Sequence, residues 1–283
     1  MSHDPASGRL ASQEHADVLL LTGLHEELHW AQQIFGMDFE RCVRQGTVYL
    51  RGEFRRGERS VTLVTQRQLD KGLTTAAVTA TKAICLWQPK MVLMTGICAG
   101  IPGAVELGDL IVATQCFEHS AGQRIDGDIV PAQNRVPIKS WLLDFLMSII
   151  DSSGLDSKIQ AGFAQSLPNS CRTRIHYGSM ACGPYVVKDS SYMEMLKARE
   201  STLMGLDMES YGVALAAEMC STPVNSVLAL IIKGVCDFAD SGKGDDWHDY
   251  CSYASAALAI ALLEETMSRD NAYRLLKRVE TLH

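Results

Sequence analysis

Four short runs are apolar at nearly every position: DVLLLTG at 17–23, KMVLMTG at 90–96, GDLIVATQCFEH at 108–119 and VNSVLALIIKGVCD at 224–237. They constrain the fold more than any other feature. A strand with one face in water alternates apolar and polar residues, whereas a strand covered on both faces does not. Between these runs lie segments with helical spacing at 25–35, 74–87 (which stops before Pro89), 139–151, 209–220 and 247–265. GTVYLRGEF at 46–54 and SVTLVTQ at 60–66 read as successive strands divided by the turn RRGER, and 174–187 reads as a strand with a break. Strands alternating with helices predict an α/β fold with a largely parallel or mixed sheet covered on both faces. In such folds ligands bind where strands end in loops. Residues 1–16 are small, polar and aperiodic and read as a flexible leader. One domain is expected over 17–266, followed by a C-terminal helical tail at 267–283.

Charge and cysteine usage narrow the function. A formal net charge of -7 argues against a nucleic-acid surface, which draws its affinity from clustered Lys and Arg. The nine cysteines include no C-x-x-C pair and stand mostly in apolar runs, the usage of buried thiols in a reducing compartment. No apolar segment is long enough to span a bilayer and the N-terminus has no signal-peptide core, so a cytoplasmic protein without membrane association is expected.

The segment His25-Glu26-Glu27-Leu28-His29 matches the H-E-x-x-H pattern of zinc proteases. Two histidines four apart share a helical face, with Glu26 available as base. However, no downstream run supplies a third ligand, and an amphipathic helix whose polar turn carries two histidines accounts for the letters better. No metal or cofactor is expected.

Three other stretches point elsewhere. MTGICAGIPGAVELGDLIVA at 94–113 places a strand against glycines at 96, 100, 103 and 108, where a turn lets backbone amides approach a ligand. GLDMESYGVALAA at 205–217 puts Met208 and Glu209 at the entry to an apolar helix, where a carboxylate can accept hydrogen bonds from a cis-diol. IIKGVCDFADSGKGDDWHDY at 231–250 delivers Asp237 and Asp240 from an apolar strand into a polar loop, as an acid catalyst requires. Singly, each also reads as an ordinary turn or capping residue.

In their order and spacing TGICAG, DMES and CDFAD resemble the nucleoside phosphorylase and nucleosidase superfamily, most closely its methylthioadenosine/S-adenosylhomocysteine nucleosidase-like branch, over about residues 17–265. The resemblance implies a three-layer α/β sandwich with a central mixed, partly barrel-like sheet flanked by helices, assembled as a homodimer or higher homo-oligomer. It also implies a small-molecule nucleoside or nucleotide partner. Glu27 would position the attacking water, Glu209 would bind the ribose hydroxyls, Met208 would pack on the sugar, and Asp237 would protonate the leaving purine. The stretch Cys98, Ala99 and Gly100 would also line the substrate, and the backbone at Val186 and Val187 would hold the base. The chain departs from the family pattern at Cys98 and Cys236, where serine is usual, and at Pro184, where aspartate is common. GLHEEL lacks the arginine of a phosphorolytic phosphate loop, which favours hydrolysis over phosphorolysis. At the 5′ end Trp247 favours a thioether, while Lys243, Lys188, His25 and His248 suit the phosphates of AMP or ATP, as in related domains of bacterial antiviral systems. A catalytically silent sensor on the same fold is the remaining alternative.

Overall fold

The computed structural model describes residues 14–277 except 126, 127, 133, 168–171, 224 and 241–244. The elements in chain order are β1 (Val18–Thr22), α1 (His25–Phe35), β2 (Glu40–Arg44), β3 (Thr47–Arg56), β4 (Arg59–Arg67), α2 (Leu73–Trp87) and β5 (Met91–Gly100). They continue with β6 (Leu110–Glu118), β7 (Gly122–Ile125), β8 (Asp128–Pro131), β9 (Arg135–Pro137), α3 (Ser140–Ser153), α4 (Leu155–Gly162) and β10 (Ile175–Cys182). The last are α5 (Ser190–Arg199), β11 (Leu203–Asp207), α6 (Ser210–Cys220), β12 (Leu228–Asp237), α7 (His248–Ser268) and α8 (Asp270–Leu276).

The main sheet runs β11-β10-β6-β12-β5-β1-β4-β3-β2, and β11 also pairs with β5, so five strands close into a barrel-like ring from which β1, β4, β3 and β2 extend. The sheet is mixed: β1 lies parallel to both β4 and β5, and β12 is parallel to β5 but antiparallel to β6. Closure is made by Gly205 opposite Gly100 and Leu206 opposite Ala99. At Gly205 a β-carbon would lie 2.9 Å from both Ile111 Cδ1 and Met180 Sδ, so the ring has no room for a side chain there.

The unbroken apolar runs follow from burial on both faces. In β1, Val18 and Leu20 face a core shared with α1, α3, α4, α7 and α8, while Leu19 and Leu21 face one shared with α2 and α6. In β5, Met91 and Leu93 alternate with Val92 and Met94 in the same way. Complete burial of such a side chain contributes about 1.5–3 kcal/mol. The two helices of the second layer approach closely because Gly212 of α6 has no side chain: a β-carbon there would come within 2.5 Å of the Leu73 carbonyl oxygen.

The sandwich, its barrel-like sheet and helix α1 follow the expected pattern, but several elements do not announce themselves in the sequence. β5 continues through Gly96 to Gly100, so the glycine-rich stretch begins inside a strand and only Gly103 and Gly108, both with positive φ, belong to the turn after it. Strands β2, β7, β8, β9 and β11 and helices α4 and α5 are additional. Among the described residues no helix is long and apolar enough to cross a membrane, and the eight described cysteines are free thiols.

Candidate active site

A cleft of about 250 Å³ opens where β1, β5, β10, β11 and β12 end. Its first wall is Glu27. The chain leaves β1 at Thr22, passes Gly23 and Leu24, and enters α1 at His25, which puts Glu27 at the third helical position, where its side chain can turn back onto the first backbone amides. Oε2 accepts from the N–H of Gly23 at 2.7 Å and of Leu24 at 2.9 Å, and Oε1 accepts from the N–H of Ile97 in β5 at 2.9 Å. Three backbone donors, two just after β1 and one within β5, hold this carboxylate, which is 3% exposed. Gly96 makes the approach possible: with φ of 153° it has no β-carbon, and one placed there would lie 2.2 Å from Glu27 Oε1.

The second wall is Glu209, the residue before α6. Its Oε1 accepts from the Gly72 N–H at 2.9 Å. A β-carbon added to Gly23 would be 3.5 Å from Glu27 Oε2 and 3.9 Å from Glu209 Cδ, so both carboxyl groups border one small volume. Burial raises the Glu209 pKa above the ordinary carboxylate range, and nearby Asp207 adds to it, while Lys233 and the Gly72 N–H pull in the opposite direction.

Beneath Glu209 lies a buried ion pair. Lys233, in the middle of β12, is 1% exposed, and its Nζ is 3.0 Å from Asp207 Oδ2. Burial alone would lower the ammonium pKa. The field of Asp207, followed by those of Glu27 and Glu209, overrides it and raises the pKa above the ordinary lysine value. Asp207 also accepts from the Ser210 N–H at 3.1 Å and from the Ser210 hydroxyl, thereby capping α6. One ammonium thus faces three carboxylates from inside the sheet. The signal for it in the sequence is a single lysine inside the otherwise apolar LALIIKGVCD.

The third wall is the end of β12. Asp237, 5% exposed, accepts through Oδ1 from the Ala239 N–H at 2.8 Å, and Ala239 takes a positive φ of 55° to make that turn. The pairing with β5 passes from Val235 opposite Cys98 to Asp237 opposite Ala99, skipping Cys236. This irregularity brings two consecutive side chains into the cleft, because both Cys236 and Asp237 line it. The Cys236 thiol lies 3.5 Å from the Cys98 carbonyl oxygen and 3.4 Å from Asp237 Oδ2, two acceptors for its one proton. Burial holds the Cys98 thiol pKa well above its ordinary value, with Cys236 adding to it.

Of the residues singled out from the sequence, Glu27, Cys98, Ala99, Val186, Val187, Met208, Glu209, Asp237 and His248 line this one cleft. Gly100 lies behind it, where a β-carbon would meet Val105 and Val235 at 2.6 Å. Trp247 is 5% exposed and packs edge-on against Tyr250 in the core, and it is not among the cleft-lining residues. Lys243 lies outside the described residues. Lys71, Tyr185 and Asp245 line the cleft as well. The H-E-x-x-H letters do not assemble: His25, Glu26 and His29 are exposed on α1 while Glu27 alone turns inward.

The family model of the phosphorylase superfamily matches residues 17–268. The protein y4jS of Sinorhizobium fredii (strain NBRC 101917 / NGR234) is 28% identical over 92% of this chain and 64% of its own length. ATP nucleosidase Cap17 of Escherichia coli (strain KTE188) is 26% identical over 87% of this chain and 51% of its own. The chain therefore spans about half to two thirds of these relatives. Among solved structures, the Helicobacter pylori 5′-methylthioadenosine/S-adenosyl homocysteine nucleosidase superposes with a TM-score of 0.71 at 20% identity, covering 89% of this chain and 100% of that one, a likeness of fold. The chain belongs to the phosphorylase superfamily.

Proposed function

We propose that this member of the phosphorylase superfamily hydrolyses the N-glycosidic bond of an adenine nucleoside or nucleotide, with water as the attacking group. The observation that carries the reading is the position of Glu27. Backbone N–H groups at a strand end and helix N-terminus form a ready anion site, which a phosphorolytic enzyme would use for phosphate. Here the N–H groups of Gly23, Leu24 and Ile97 are already engaged by the Glu27 carboxylate.

The residue types fit that chemistry. Breaking the bond builds positive charge on the ribose ring and negative charge on the departing base. Glu209, beside Glu27, holds the ribose hydroxyls and faces the positive ring. Asp237 protonates the base. Glu27 takes the proton of a water attacking the anomeric carbon. Val186 and Val187 line the adenine side, and Met208 packs on the sugar.

At the 5′ end the reading favours a nucleotide. Lys71 lines the cleft directly beside Gly72, whose N–H holds Glu209, and it and His248 are the basic side chains among the described lining residues. Trp247, which would have favoured a thioether, packs in the core instead. The similarity to an ATP nucleosidase supports the same direction.

The test is to incubate the protein with AMP, ATP, adenosine, methylthioadenosine, S-adenosylhomocysteine and inosine, following free base by chromatography with and without phosphate and EDTA. Adenine release that needs no phosphate, survives EDTA and prefers AMP or ATP is expected. A requirement for phosphate would make the protein a phosphorylase, and binding without release would make it a sensor.

A further inference from the structure

We propose that Cys236, Asp237 and His248 form a binding site for a borderline-soft divalent cation, Zn2+ foremost, whose occupancy reversibly silences the cleft. One potential ligand atom from each of the three residues, a sulfur, a carboxylate oxygen and an imidazole nitrogen, lies within 4.8 Å of the others. Bonds of about 2.0–2.3 Å to a tetrahedral zinc place ligand atoms roughly 3.3–3.8 Å apart, so modest side-chain rotation closes the set. Cys236 Sγ and Asp237 Oδ2 already stand 3.4 Å apart.

Local structure explains why these residues meet. Consecutive strand residues ordinarily point to opposite faces. The irregularity at Cys236 turns both it and Asp237 into the cleft, with Oδ1 engaged by the Ala239 N–H and Oδ2 on the side of the thiol. His248, the first residue of α7, also lines the cleft. Its Nε2 is buried without a hydrogen bond and has Asp245 Oδ1 at 3.4 Å, close enough for that carboxylate to supply a fourth ligand. Sulfur and imidazole donors select Zn2+ over Mg2+ and Ca2+, which require oxygen. On binding, the thiol releases its proton to solvent as the metal–sulfur bond forms. The inhibitory consequence rests on the role proposed for Asp237, because a metal-bound carboxylate cannot hand a proton to the base.

Metal binding can be measured without turnover. Co2+ titrated into the full chain is expected to give tetrahedral d–d absorption together with a thiolate-to-cobalt charge-transfer band. That band should be lost in Cys236→Ser, the cobalt affinity should fall about 10–100-fold in His248→Asn, and both should persist in Cys85→Ser, which removes an exposed thiol elsewhere. Zn2+ should inhibit base release, with full recovery on EDTA, and Mg2+ at the same concentration should not. Each variant's inhibition is compared with its own uninhibited rate, and Cys236→Ser should need at least about tenfold more zinc. A cobalt spectrum without the thiolate band, or zinc sensitivity unchanged in both Cys236→Ser and His248→Asn, would overturn the site. If the protein released no base at all, the cobalt result would still decide the metal site, and only the proposed function would fall.

Discussion

At one end of the cleft Glu27, Asp207 and Glu209 are each no more than 8% exposed and are held by backbone N–H groups and a buried ammonium. At the other, Tyr185 and Val186 stand 67% and 54% exposed on the segment between β10 and α5. The carboxylate end is built from the ends of several sheet strands, so each charged group is fixed by a neighbouring strand or helix terminus. The loop end is built from one connection. Groups that must face developing charge in the reaction gain from fixed orientation, because a preorganised field needs no reorganisation in the transition state. A face that only embraces a flat base tolerates adjustment. Substitutions at the two ends should therefore differ in kind: loss of turnover or of stability at the first, and small changes in affinity at the second.

The largest effect is expected from Glu27→Gln, which keeps the shape but removes the base. Base release should fall by about 10²–10⁴-fold with the thermal melt little changed. A variant within a few-fold of the parent rate would remove Glu27 from the chemistry and erase the distinction between the ends. Next is Lys233→Met, which leaves Asp207 buried without its ammonium and should cost about 3–5 kcal/mol of stability in denaturant unfolding. The double change Lys233→Met with Asp207→Leu should recover part of it, since both charges are then gone.

The pH dependence of Glu209 sharpens the comparison further. Its folded pKa is raised, by burial first and by Asp207 next. The stability this group contributes is thus fully present below its unfolded pKa, near 4.3, and is lost as pH rises through the raised folded value. Glu209→Gln does not titrate. Unfolding followed from pH 4 to pH 7 should therefore show the variant gaining stability relative to the parent as pH rises, and a difference independent of pH would contradict the placement. The smallest effect is expected at the loop: Tyr185→Ala should raise KM by less than about tenfold and leave kcat nearly unchanged, and a large fall in kcat would mean that the loop takes part in the chemistry.

Adjacent residues show how much of this was legible in the sequence. Glu26 and Glu27 are indistinguishable by composition, and the zinc-like letters draw attention to the wrong one; only the resemblance around TGLHEEL singles out Glu27. The apolar strands were legible because burial on both faces leaves a strong signal, and DMES and CDFAD marked Glu209 and Asp237 for the same cleft. The ion pair of Lys233 with Asp207 was not, because its two halves lie 26 positions apart and a lone lysine in an apolar run carries no indication of its partner. Strand β2 escaped notice because it is a half-exposed edge strand with no continuous apolar face. Strand β11 is five residues long and merges into the approach to α6, and α5 buries only Met193 and Leu196, too little for a helical stripe. Trp247 read as a ligand contact through the resemblance alone, because it falls where thioether-specific members of the family place an aromatic residue, and a position in a family pattern does not fix whether the side chain faces the cleft or the core.

The most direct test of the central claim, that Glu27 directs water rather than phosphate at the anomeric carbon, is base release in water enriched in ¹⁸O with inorganic phosphate present. The account predicts one labelled oxygen at C1 of the released sugar, no phosphorylated C1, and loss of both labelling and base release in Glu27→Gln. A sugar carrying phosphate at C1, or labelling that persists in Glu27→Gln at the parent rate, would contradict it.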